Sequence, residues 1–518
     1  MPHTRRSFLK TGPATMLAAK TFAAPSVFPR LAELNGRKLL HVDGHPFLIL
    51  GLQWDCDSCF AAEIMDPLFQ EAAKLGCNTA VLPLYWREIE PREGARDFRM
   101  LDHRIEMARR SGLRVVLNWF GAYKNACLNY APDFVKADLN RFRRAHRGGG
   151  TALRNFACPT CESTLAADRA AIEAVCARLK AFDAERHTVI LLQMENEAGI
   201  LGADRCYCPD CTRQFESGGW LERAKHLSAE TFTAHSIATY IERMSAAAKA
   251  VYPLPVAVNA WLRPEGGHPG KDYPSGGPVD SMLEVYTAAA PHVDLIAPDI
   301  YTDSLDRFRS VCRAYSRQGR PLYVAEHASG QEGCAERHVF YAFGELNAIG
   351  FSPWAIDRSF PDEFSRPLVD QSDQTWSEQA YDLRDSYVPI RDAMVPIAIA
   401  QGTDGLRFFV QEKEETECQL AFGDVALRAA FRHRKGLARG IVIRRGASEF
   451  LIIGTGFEAR FLTATGNGVP LRRVERGRFE GERWRPLLPH RRESEDASAP
   501  FRVIEPQVVR VVLDLPGV

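Results

Sequence analysis

The sequence predicts an α/β fold, a (β/α)8 TIM barrel, followed by a C-terminal all-β accessory domain. Three observations support this prediction. Short apolar runs alternate with amphipathic stretches from about residue 47 to residue 393, which is the pattern of a parallel α/β fold. Eight such runs follow one another, and this number suits a closed barrel better than an open sheet. After about residue 395 the helical period gives way to β-rich segments separated by glycines and arginines.

The predicted elements follow from these patterns in chain order. The clearest strand is Val189-Ile-Leu-Leu192, because a parallel strand buried on both faces reads as continuous Val, Ile and Leu. Barrel strands are predicted at 47–54, 79–85, 114–120, 189–194, 255–259, 295–300, 322–325 and 349–355. Apolar residues at helical spacing predict helices at 64–75, 101–111, 165–184, 233–251, 279–289, 305–316, 336–348 and 377–393. The C-terminal strands are predicted at 406–411, 440–444, 449–455 and 508–513. The predicted domains are a signal and linker in 1–30, the barrel in 31–395 and the β domain in 396–518.

The amino terminus resembles a twin-arginine export signal, which carries folded proteins out of the bacterial cytoplasm. Thr4-Arg5-Arg6-Ser7-Phe8-Leu9-Lys10 precedes an Ala-rich, mildly apolar stretch that reaches about residue 24. An exposed basic tail is the alternative interpretation. The resemblance implies a periplasmic or secreted protein, and the sequence does not show the cleavage site.

Composition narrows the class of partner. The 518 residues include 65 basic and 65 acidic side chains, so no global field attracts nucleic acid or anionic lipid. No apolar run approaches the roughly 18–20 residues of a membrane-spanning helix. We therefore expect no nucleic-acid partner and no membrane partner. A neutral ligand such as a sugar fits this balance, and a homo-oligomer is one option that the sequence leaves open.

Carboxylates stand at the ends of two predicted strands. Gln193-Met-Glu-Asn-Glu197 closes the fourth strand, and Glu326 closes the seventh. The active sites of barrel enzymes lie at the carboxyl ends of the strands. A pair of carboxyl groups there is typical of a glycosidase. Structural carboxylates, capped or salt-bridged, are the alternative. Because side chains alternate along a strand, Glu195 and Glu197 share one side, and spacing alone does not say which one donates a proton.

The extended motif Gln193-Met-Glu-Asn-Glu197-Ala-Gly199 resembles the Gln-x-Glu-Asn-Glu-x-Gly motif of family 35 β-galactosidases. Those enzymes belong to a clan of retaining barrel glycosidases. The resemblance implies that Glu197 on strand four is the acid/base and that Glu326 on strand seven is the nucleophile. It also implies that Asn196 holds the 2-hydroxyl of the sugar. The strand count made from the apolar runs places both glutamates on the same strands.

Aromatic residues near strand ends are candidate sugar platforms, because sugars present apolar C–H faces to aromatic rings. The candidates are Tyr85, Trp119, Trp261 and Trp354. Aromatic rings also fill barrel cores, which is the alternative for each. The clan resemblance favours Trp354 on strand eight and Tyr301 on strand six as a hydrogen-bond donor to Glu326. Asp299 is assigned no role beyond that of a structural carboxylate.

A cysteine cluster follows the carboxylate motif. Three cysteines within six residues, Cys206, Cys208 and Cys211, do not easily satisfy disulfide geometry among themselves. They suit a tetrahedral zinc whose fourth thiolate comes from upstream, with Cys158 preferred over Cys161. Disulfide bonding is the alternative. Family 42 β-galactosidases have a similar cluster that binds structural zinc, so the resemblance implies a closed site that braces a loop.

These patterns together predict a retaining exo-β-glycosidase, with a β-galactosidase as first choice and a carbohydrate as substrate. A β-glycosidase of another specificity, such as a β-glucosidase or β-mannosidase, is the main alternative. A non-catalytic sugar-binding barrel and a zinc hydrolase are the others. We expect a structural zinc ion and no catalytic cofactor.

Overall fold

The computed structural model describes residues 28–220, 228–327, 334–355, 357, 376–432, 436–489 and 497–515. The predicted export signal falls on residues 1–27 and lies outside the described residues. Within the described ranges, no helix combines the length and the hydropathy needed to cross a membrane.

Eight parallel strands close into a barrel, as predicted. In chain order they are β1 Ile49–Gln53, β2 Thr79–Tyr85, β3 Arg114–Lys124, β4 Val189–Asn196, β5 Val256–Trp261, β6 Leu295–Ile300, β7 Tyr323–His327 and β8 Gly350–Pro353. The ring closes where β8 pairs with β1, through Gly350 with Ile49 and Phe351 with Leu50. The predicted fold class is confirmed.

The inside of the barrel is apolar toward the amino ends of the strands and polar toward their carboxyl ends. Val116, Leu191, Ala257 and Ala297 belong to one buried cluster inside the barrel. The residues two positions further along these strands are polar, and two of them, Asn259 and Asp299, belong to the site described below; the four are Asn118, Gln193, Asn259 and Asp299. Because side chains alternate along a strand, these pairs face the same side. The polar layer therefore marks the catalytic end of the barrel.

The predicted helices are all observed. The main ones are Ala62–Leu75, Arg99–Arg110, Glu162–Asp183, Ala229–Val251, Leu283–Ala289, Leu305–Tyr315, Ala335–Gly344 and Glu378–Asp392. Shorter ones are Trp86–Ile89, Asp133–Ala137, Pro209–Ser217 and Met394–Ala400. The last of these contains the predicted domain boundary at residue 395. A hairpin of Arg144–His146 and Ala152–Ala157 stands in the long loop after β3.

An amino-terminal sheet that the sequence analysis missed packs against the inside of the barrel. Its strands are Arg30–Leu34, Arg37–Val42 and His45–Pro46. Leu39, Leu40 and Val42 share a buried cluster with inward-facing residues of the barrel strands. The sheet immediately precedes β1 in the chain, so it covers the end of the barrel opposite the polar layer.

The C-terminal region is a β-sandwich of two antiparallel sheets. The larger sheet contains, in spatial order, Leu406–Val410, Arg439–Arg444, Glu449–Thr455, Gln507–Leu513, Leu471–Glu480 and Arg483–Pro489. The smaller sheet contains Glu417–Phe422, Val425–Phe431, Phe457–Thr463 and Phe501–Val503. Phenylalanines such as Phe409, Phe450 and Phe461 fill the space between the sheets. The predicted all-β character is confirmed.

The larger sheet packs on the last barrel helix, Glu378–Asp392. Ile441, Leu451 and Val508 of the sheet join the hydrophobic core of the barrel. At the same contact, Arg439 is 2% exposed, and its guanidinium donates hydrogen bonds to Ser386 Oγ at 2.7 Å and to the carbonyl oxygen of Asp382 at 2.8 Å. Barrel and sandwich therefore share one buried boundary.

Candidate active site

Three carboxyl groups meet at the carboxyl ends of the barrel strands. They belong to Glu197 after β4, Asp299 on β6 and Glu326 on β7, and one oxygen of each lies within 4.8 Å of the other two. All three side chains are buried, and they border a cavity of about 540 Å³. A cavity of this size suits a small ligand such as one or two sugar rings.

Glu326 is the most heavily hydrogen-bonded of the three. Its Oε1 accepts bonds from Gln53 Nε2 at 2.7 Å, Asn196 Nδ2 at 3.2 Å and Asn259 Nδ2 at 3.4 Å. Its Oε2 accepts a bond from the Tyr301 hydroxyl at 2.6 Å. Donors aimed at a carboxylate favour its charged form. This arrangement fits a carboxylate that acts as a nucleophile.

Glu197 has the opposite environment. Burial, reinforced by the negative charge of Glu326, raises the pKa of Glu197 to about 8, while Lys124 acts in the opposite direction. The backbone N–H of Glu197 donates to Asn259 Oδ1 at 2.9 Å, which fixes the residue in place. A carboxyl that keeps its proton at neutral pH is able to act as a general acid.

Backbone geometry explains how two adjacent residues at one strand end, Asn196 and Glu197, both reach the site. Glu195 and Glu197 have φ angles of 58° and 47°, in the left-handed region that non-glycine residues rarely adopt. The strand therefore loses its regular alternation at this point. Asn196 turns its side-chain N–H toward Glu326, and its Oδ1 is buried without a hydrogen-bond partner among the residues described. Such strain is typical of functional sites.

Glu195, the alternative that spacing left open, does not line the cavity. Its carboxyl accepts hydrogen bonds from the backbone N–H groups of Gly121, Ala122 and Tyr123, at 2.8 to 3.2 Å. It faces Asp168, and burial together with that neighbour raises the pKa of Glu195 well above its usual range. Glu195 therefore fastens the end of β3 to β4, and Glu197 is the residue that the structure brings to the cavity.

Three of the predicted aromatic and phenolic residues line the cavity. Trp261, Tyr301 and Trp354 stand at its wall, and the rings of Tyr301 and Trp354 meet edge to face with centroids 6.3 Å apart. Tyr301 is 51% exposed, so its ring borders the opening while its hydroxyl reaches Glu326. These residues therefore form an aromatic wall of the cavity.

The structure does not bring Tyr85 and Trp119 to the cavity, and this corrects their predicted contact with substrate. Each is 1% exposed. The Trp119 indole N–H donates to Asp168 Oδ1 at 2.8 Å, and the Tyr85 hydroxyl donates to the carbonyl oxygen of Cys56 at 2.8 Å. The Tyr85 ring also stacks on Tyr130 with centroids 4.7 Å apart. Both residues pack the core beneath the loops, which was the alternative for each.

Sequence reasoning missed several polar residues of the site. Gln53 and Asn259 both donate to Glu326, Asp299 lies beside Glu197, and Lys124 lines the cavity. A signal was present for Gln53, Asn259 and Asp299, because each stands within a predicted strand whose other residues are mostly apolar, whereas Lys124 lies four residues beyond the third predicted strand. A single polar side chain in a buried run at the carboxyl end of a barrel strand is therefore informative by itself.

Four thiols converge outside this cavity. Cys158 Sγ lies 3.8 Å from Cys206 Sγ, 3.7 Å from Cys208 Sγ and 3.6 Å from Cys211 Sγ. These separations are far beyond a sulfur–sulfur bond of about 2.05 Å. Four sulfurs placed about 2.3 Å from a tetrahedral zinc would be about 3.8 Å apart, so the donor set fits that ion.

Cys161 faces away from the four thiols. Its Sγ accepts from the backbone N–H of Arg143 at 3.3 Å and lies 3.5 Å from the carbonyl oxygen of Arg141. All thirteen cysteines fall in the described ranges, and each is a free thiol. The four-thiol cluster joins the hairpin after β3 to the helix Pro209–Ser217 after β4, and its lack of an open position suits a structural role.

Comparison with known protein families bears on the barrel. Residues 60–261 match glycoside hydrolase family 42. The matching model is described as beta-galactosidase, and it runs from the start of the first barrel helix to the end of β5. The family 42 part of the predicted resemblance is supported by this match, and the family 35 part stays a prediction. Residues 383–488 match a domain of unknown function, DUF5597.

Several solved structures are similar to this chain at low identity. A beta-galactosidase from the psychrophilic Marinomonas ef1 shares 12% identity at a TM-score of 0.49, covering 67% of this chain and 60% of its own. A beta-galactosidase from the Antarctic haloarchaeon Halorubrum lacusprofundi shares 16% identity at a TM-score of 0.48. The similarity covers 65% of this chain and 57% of that one. An exo-beta-1,4-mannosidase from an Opitutaceae bacterium shares 17% identity at a TM-score of 0.42. The similarity covers 69% of this chain and 61% of that one. This chain thus spans less than two thirds of their length. No curated protein matches the chain.

Proposed function

We propose that the barrel is a retaining β-glycosidase in which Glu326 is the nucleophile and Glu197 the acid/base. The observation that carries the proposal is the pairing of a carboxylate held by four donors with a second, proton-retaining carboxyl whose oxygen lies within 4.8 Å. Retaining enzymes hold the two carboxyl groups about 5–5.5 Å apart, whereas inverting enzymes need about 6.5–9.5 Å to admit a water molecule. The short separation supports retention.

In the first step, Glu326 attacks the anomeric carbon while Glu197 gives its proton to the departing glycosidic oxygen. The Tyr301 hydroxyl and the amides of Gln53 and Asn196 hold Glu326 in line for the attack. In the second step, Glu197, now ionised, takes a proton from water, and that water displaces the sugar from Glu326. The Oδ1 of Asn196, which has no hydrogen-bond partner among the described residues, would accept a hydrogen bond from a sugar hydroxyl.

For the substrate, we propose a β-galactoside cleaved from the end of a carbohydrate chain. The family 42 match over residues 60–261 supports this choice. Trp261 and Trp354 offer apolar walls to a sugar ring. A β-glucoside or β-mannoside is the second candidate, because apolar walls of this kind suit other sugar rings as well.

A screen of nitrophenyl glycosides tests the proposal. Turnover of the β-galactoside above the β-glucoside and β-mannoside is expected, with NMR showing a β-configured sugar as first product. A preference for another sugar would correct the substrate alone. Inversion of configuration would overturn the mechanism. A protein that binds sugars but turns over none of these substrates would be a non-catalytic sugar-binding barrel.

We further propose that Cys158, Cys206, Cys208 and Cys211 hold a structural zinc ion. The ion would brace the loops after β3 and β4 and take no part in the reaction, since four thiolates leave no coordination position open. A zinc hydrolase would need such a position. The tetrahedral spacing of the sulfurs supports the proposal.

Export through the twin-arginine route is proposed from the sequence of residues 4–10. This route would let the thiols bind zinc in the reducing cytoplasm before export. Replacing Arg5 and Arg6 together by lysine is expected to keep the protein in the cytoplasm, as measured by cell fractionation. Unchanged export would contradict the assignment.

A further inference from the structure

We infer that Asp299 is a positioning residue of this site, a neutral carboxylic acid that donates a hydrogen bond to Glu197 whenever Glu197 is ionised. The inference rests on the proposed function, because it assigns to Asp299 a role in the acid/base cycle of Glu197. It depends on three structural observations: the burial of Asp299, the unequal partners of its two oxygens, and the amide that ties the three carboxyl groups together.

The two oxygens of Asp299 have different surroundings. Oδ2 accepts a hydrogen bond from Asn259 Nδ2 at 2.8 Å. Oδ1 is buried and has no donor among the residues in the described ranges, although the side chain is only 2% exposed. A buried carboxylate with one bare oxygen is costly, so the group lowers its free energy by keeping a proton. The neighbouring carboxyl of Glu197 is then the acceptor within reach.

The side-chain amide of Asn259 determines which oxygen of Asp299 is left to carry a proton. Its Oδ1 accepts from the backbone N–H of Glu197, and its Nδ2 donates to both Asp299 and Glu326. One amide on β5 therefore contacts all three carboxyl-bearing residues and fixes which oxygen of Asp299 is already used. The oxygen left for a proton is Oδ1, and the carboxyl of Glu197, which follows β4, has an oxygen within 4.8 Å of an Asp299 oxygen.

The charged and titratable surroundings support a neutral Asp299. The groups that act on it are Glu197, Glu326, Lys124, Tyr301, Tyr315 and Tyr323. Burial and the two glutamates raise the pKa of Asp299 well above its usual range, against the weaker effect of Lys124. The proximity of the two carboxyls raises the pKa of Asp299 and lowers that of Glu197, as expected if Asp299 is the donor.

The proton balance is simple. Glu197 gives its own proton to the leaving oxygen and becomes a carboxylate beside the buried Glu326. Asp299 keeps its proton throughout and donates a hydrogen bond to the new charge, and Glu197 recovers a proton from the attacking water. Asp299 thus makes Glu197 a stronger acid than burial alone would allow, and it never exchanges protons with substrate.

Two variants separate this role from a merely structural one. Asp299→Asn has one oxygen to accept from Asn259 and an N–H to donate to Glu197, so it reproduces the protonated aspartic acid. It is expected to keep kcat/KM within about tenfold of wild type and to leave the alkaline limb of the pH profile in place. Asp299→Ala removes the donor. It is expected to lower kcat/KM by about 10- to 100-fold and to move the alkaline limb upward.

The opposite results would overturn the inference. If Asp299 were ionised, both variants would remove a negative charge and move the alkaline limb downward. A limb that stays in place in Asp299→Ala would mean that Asp299 acts only as a structural residue. Asp168→Asn is the matched control, because Asp168 is another fully buried carboxyl that bonds Trp119 and Tyr240 outside the cavity. Asp168→Asn is expected to lower the stability of the protein and to leave the alkaline limb of the pH profile unchanged.

Infrared spectroscopy keeps the inference testable if Asp299→Ala fails to fold. The difference spectrum of wild type minus Asp299→Asn, recorded at a pH where Glu197 has ionised, is expected to show a protonated-carboxyl C=O band, because the subtraction cancels other buried carboxyls such as Glu195 whose pKa is also raised. Absence of this difference band would overturn the assignment. The activity of Glu326→Gln distinguishes a failure of the Asp299 inference from a failure of the proposed function. An active Glu326→Gln would refute the proposed function itself.

Discussion

Glu326 receives hydrogen bonds from four side chains on four different strands or strand ends, and this makes it the residue whose replacement should matter most. Glu326→Gln removes the nucleophile while preserving shape. Turnover of aryl glycosides is expected to fall to the uncatalysed background, because no group remains to form the glycosyl intermediate. Steady-state kinetics with nitrophenyl substrates measure the effect, and thermal unfolding checks that the variant is folded.

Removing the acid/base should have a different signature. Glu197→Ala is expected to lose about 10²–10⁴-fold with poor leaving groups, the usual contribution of general acid catalysis. Activated aryl substrates need little protonation, so they should recover part of this loss, and added azide should recover more. Equal recovery in Glu326→Ala would contradict the assignment of the two roles.

The pH dependence follows from the sign of the shift at Glu197. A general acid works only while protonated, so kcat/KM is expected to be present below the pKa of about 8 and to fall as pH rises through it. The profile of kcat/KM from pH 5 to pH 10 tests this. In Glu197→Ala, assayed with an activated substrate, the alkaline limb should disappear. A wild-type profile without a decline near pH 8 would contradict the proposed acid.

At the scale of elements, the four-thiol cluster gives the clearest prediction. Cys208→Ser is expected to lose bound zinc and to lower the unfolding temperature by on the order of 10 °C, because metal binding contributes directly to folding. Cys161→Ser is the matched control, since its thiol is equally buried but faces Arg143 and Arg141. Metal analysis should give one zinc per chain for wild type and for the control.

Two outcomes would contradict the zinc proposal. One is an unchanged zinc content in Cys208→Ser. The other is the loss of zinc from Cys161→Ser together with its retention in Cys158→Ser, which would place Cys161 in the site. Chelation that removes zinc from a protein that stays folded should leave turnover intact, because no cysteine lines the catalytic cavity.

The end of β4 shows where sequence reasoning stops. The apolar run at 189–192 predicts the strand, and the observed strand is Val189–Asn196. Spacing left Glu195 and Glu197 equivalent, because that argument assumes regular alternation. Positive φ angles break the alternation, and the backbone of β3 binds Glu195. A contact with the backbone of another strand leaves no local pattern, so the choice between the two glutamates depended on family resemblance.

The aromatic candidates make the same point. Apolar runs placed Tyr85 and Trp119 correctly on β2 and β3, yet both rings turn into the core. The runs on β2 and β3 are mostly apolar on both faces, and apart from the first residue of each strand and Asn118 they offer no polar residue by which to tell the two sides of the strand apart before these rings. Trp261 and Trp354 lie at the open ends of β5 and β8, where one side faces the cavity. Strand positions were therefore predictable, and the facing of aromatic side chains was not.

At the scale of the whole molecule, Arg439 joins the sandwich to the barrel. Arg439→Met would remove the guanidinium that donates to Ser386 and to the carbonyl oxygens of Asp382 and Leu437. A loss of about 2–5 kcal/mol in the free energy of unfolding is expected, measured by calorimetry or denaturant titration. Wild type should unfold in one transition, and the variant should show the sandwich unfolding first.

Arg428→Met is the control for this prediction. Arg428 is half exposed and pairs with Glu417 on the smaller sheet, so its loss is expected to change stability by only about 0–1 kcal/mol. Equal effects of the two substitutions would show that the Arg439 contact does not hold the two parts together. The contact itself was not predictable, because the sequence predicts the strand at 440–444 and the helix at 377–393 but not that the two pack together.

The joint between β8 and β1 has a consequence for how the chain folds. Gly350 and Phe351 pair with Ile49 and Leu50, so the ring is sealed by residues about 300 positions apart. Contacts of such long sequence separation form slowly, and until they form, β1 exposes an open edge that attracts other strands. A chain released before β8 is synthesised would therefore not close the barrel. It would instead expose the unpaired edge of β1, which is prone to aggregation. Aggregation during synthesis, more than loss of activity in the finished protein, is the hazard that this ring architecture creates.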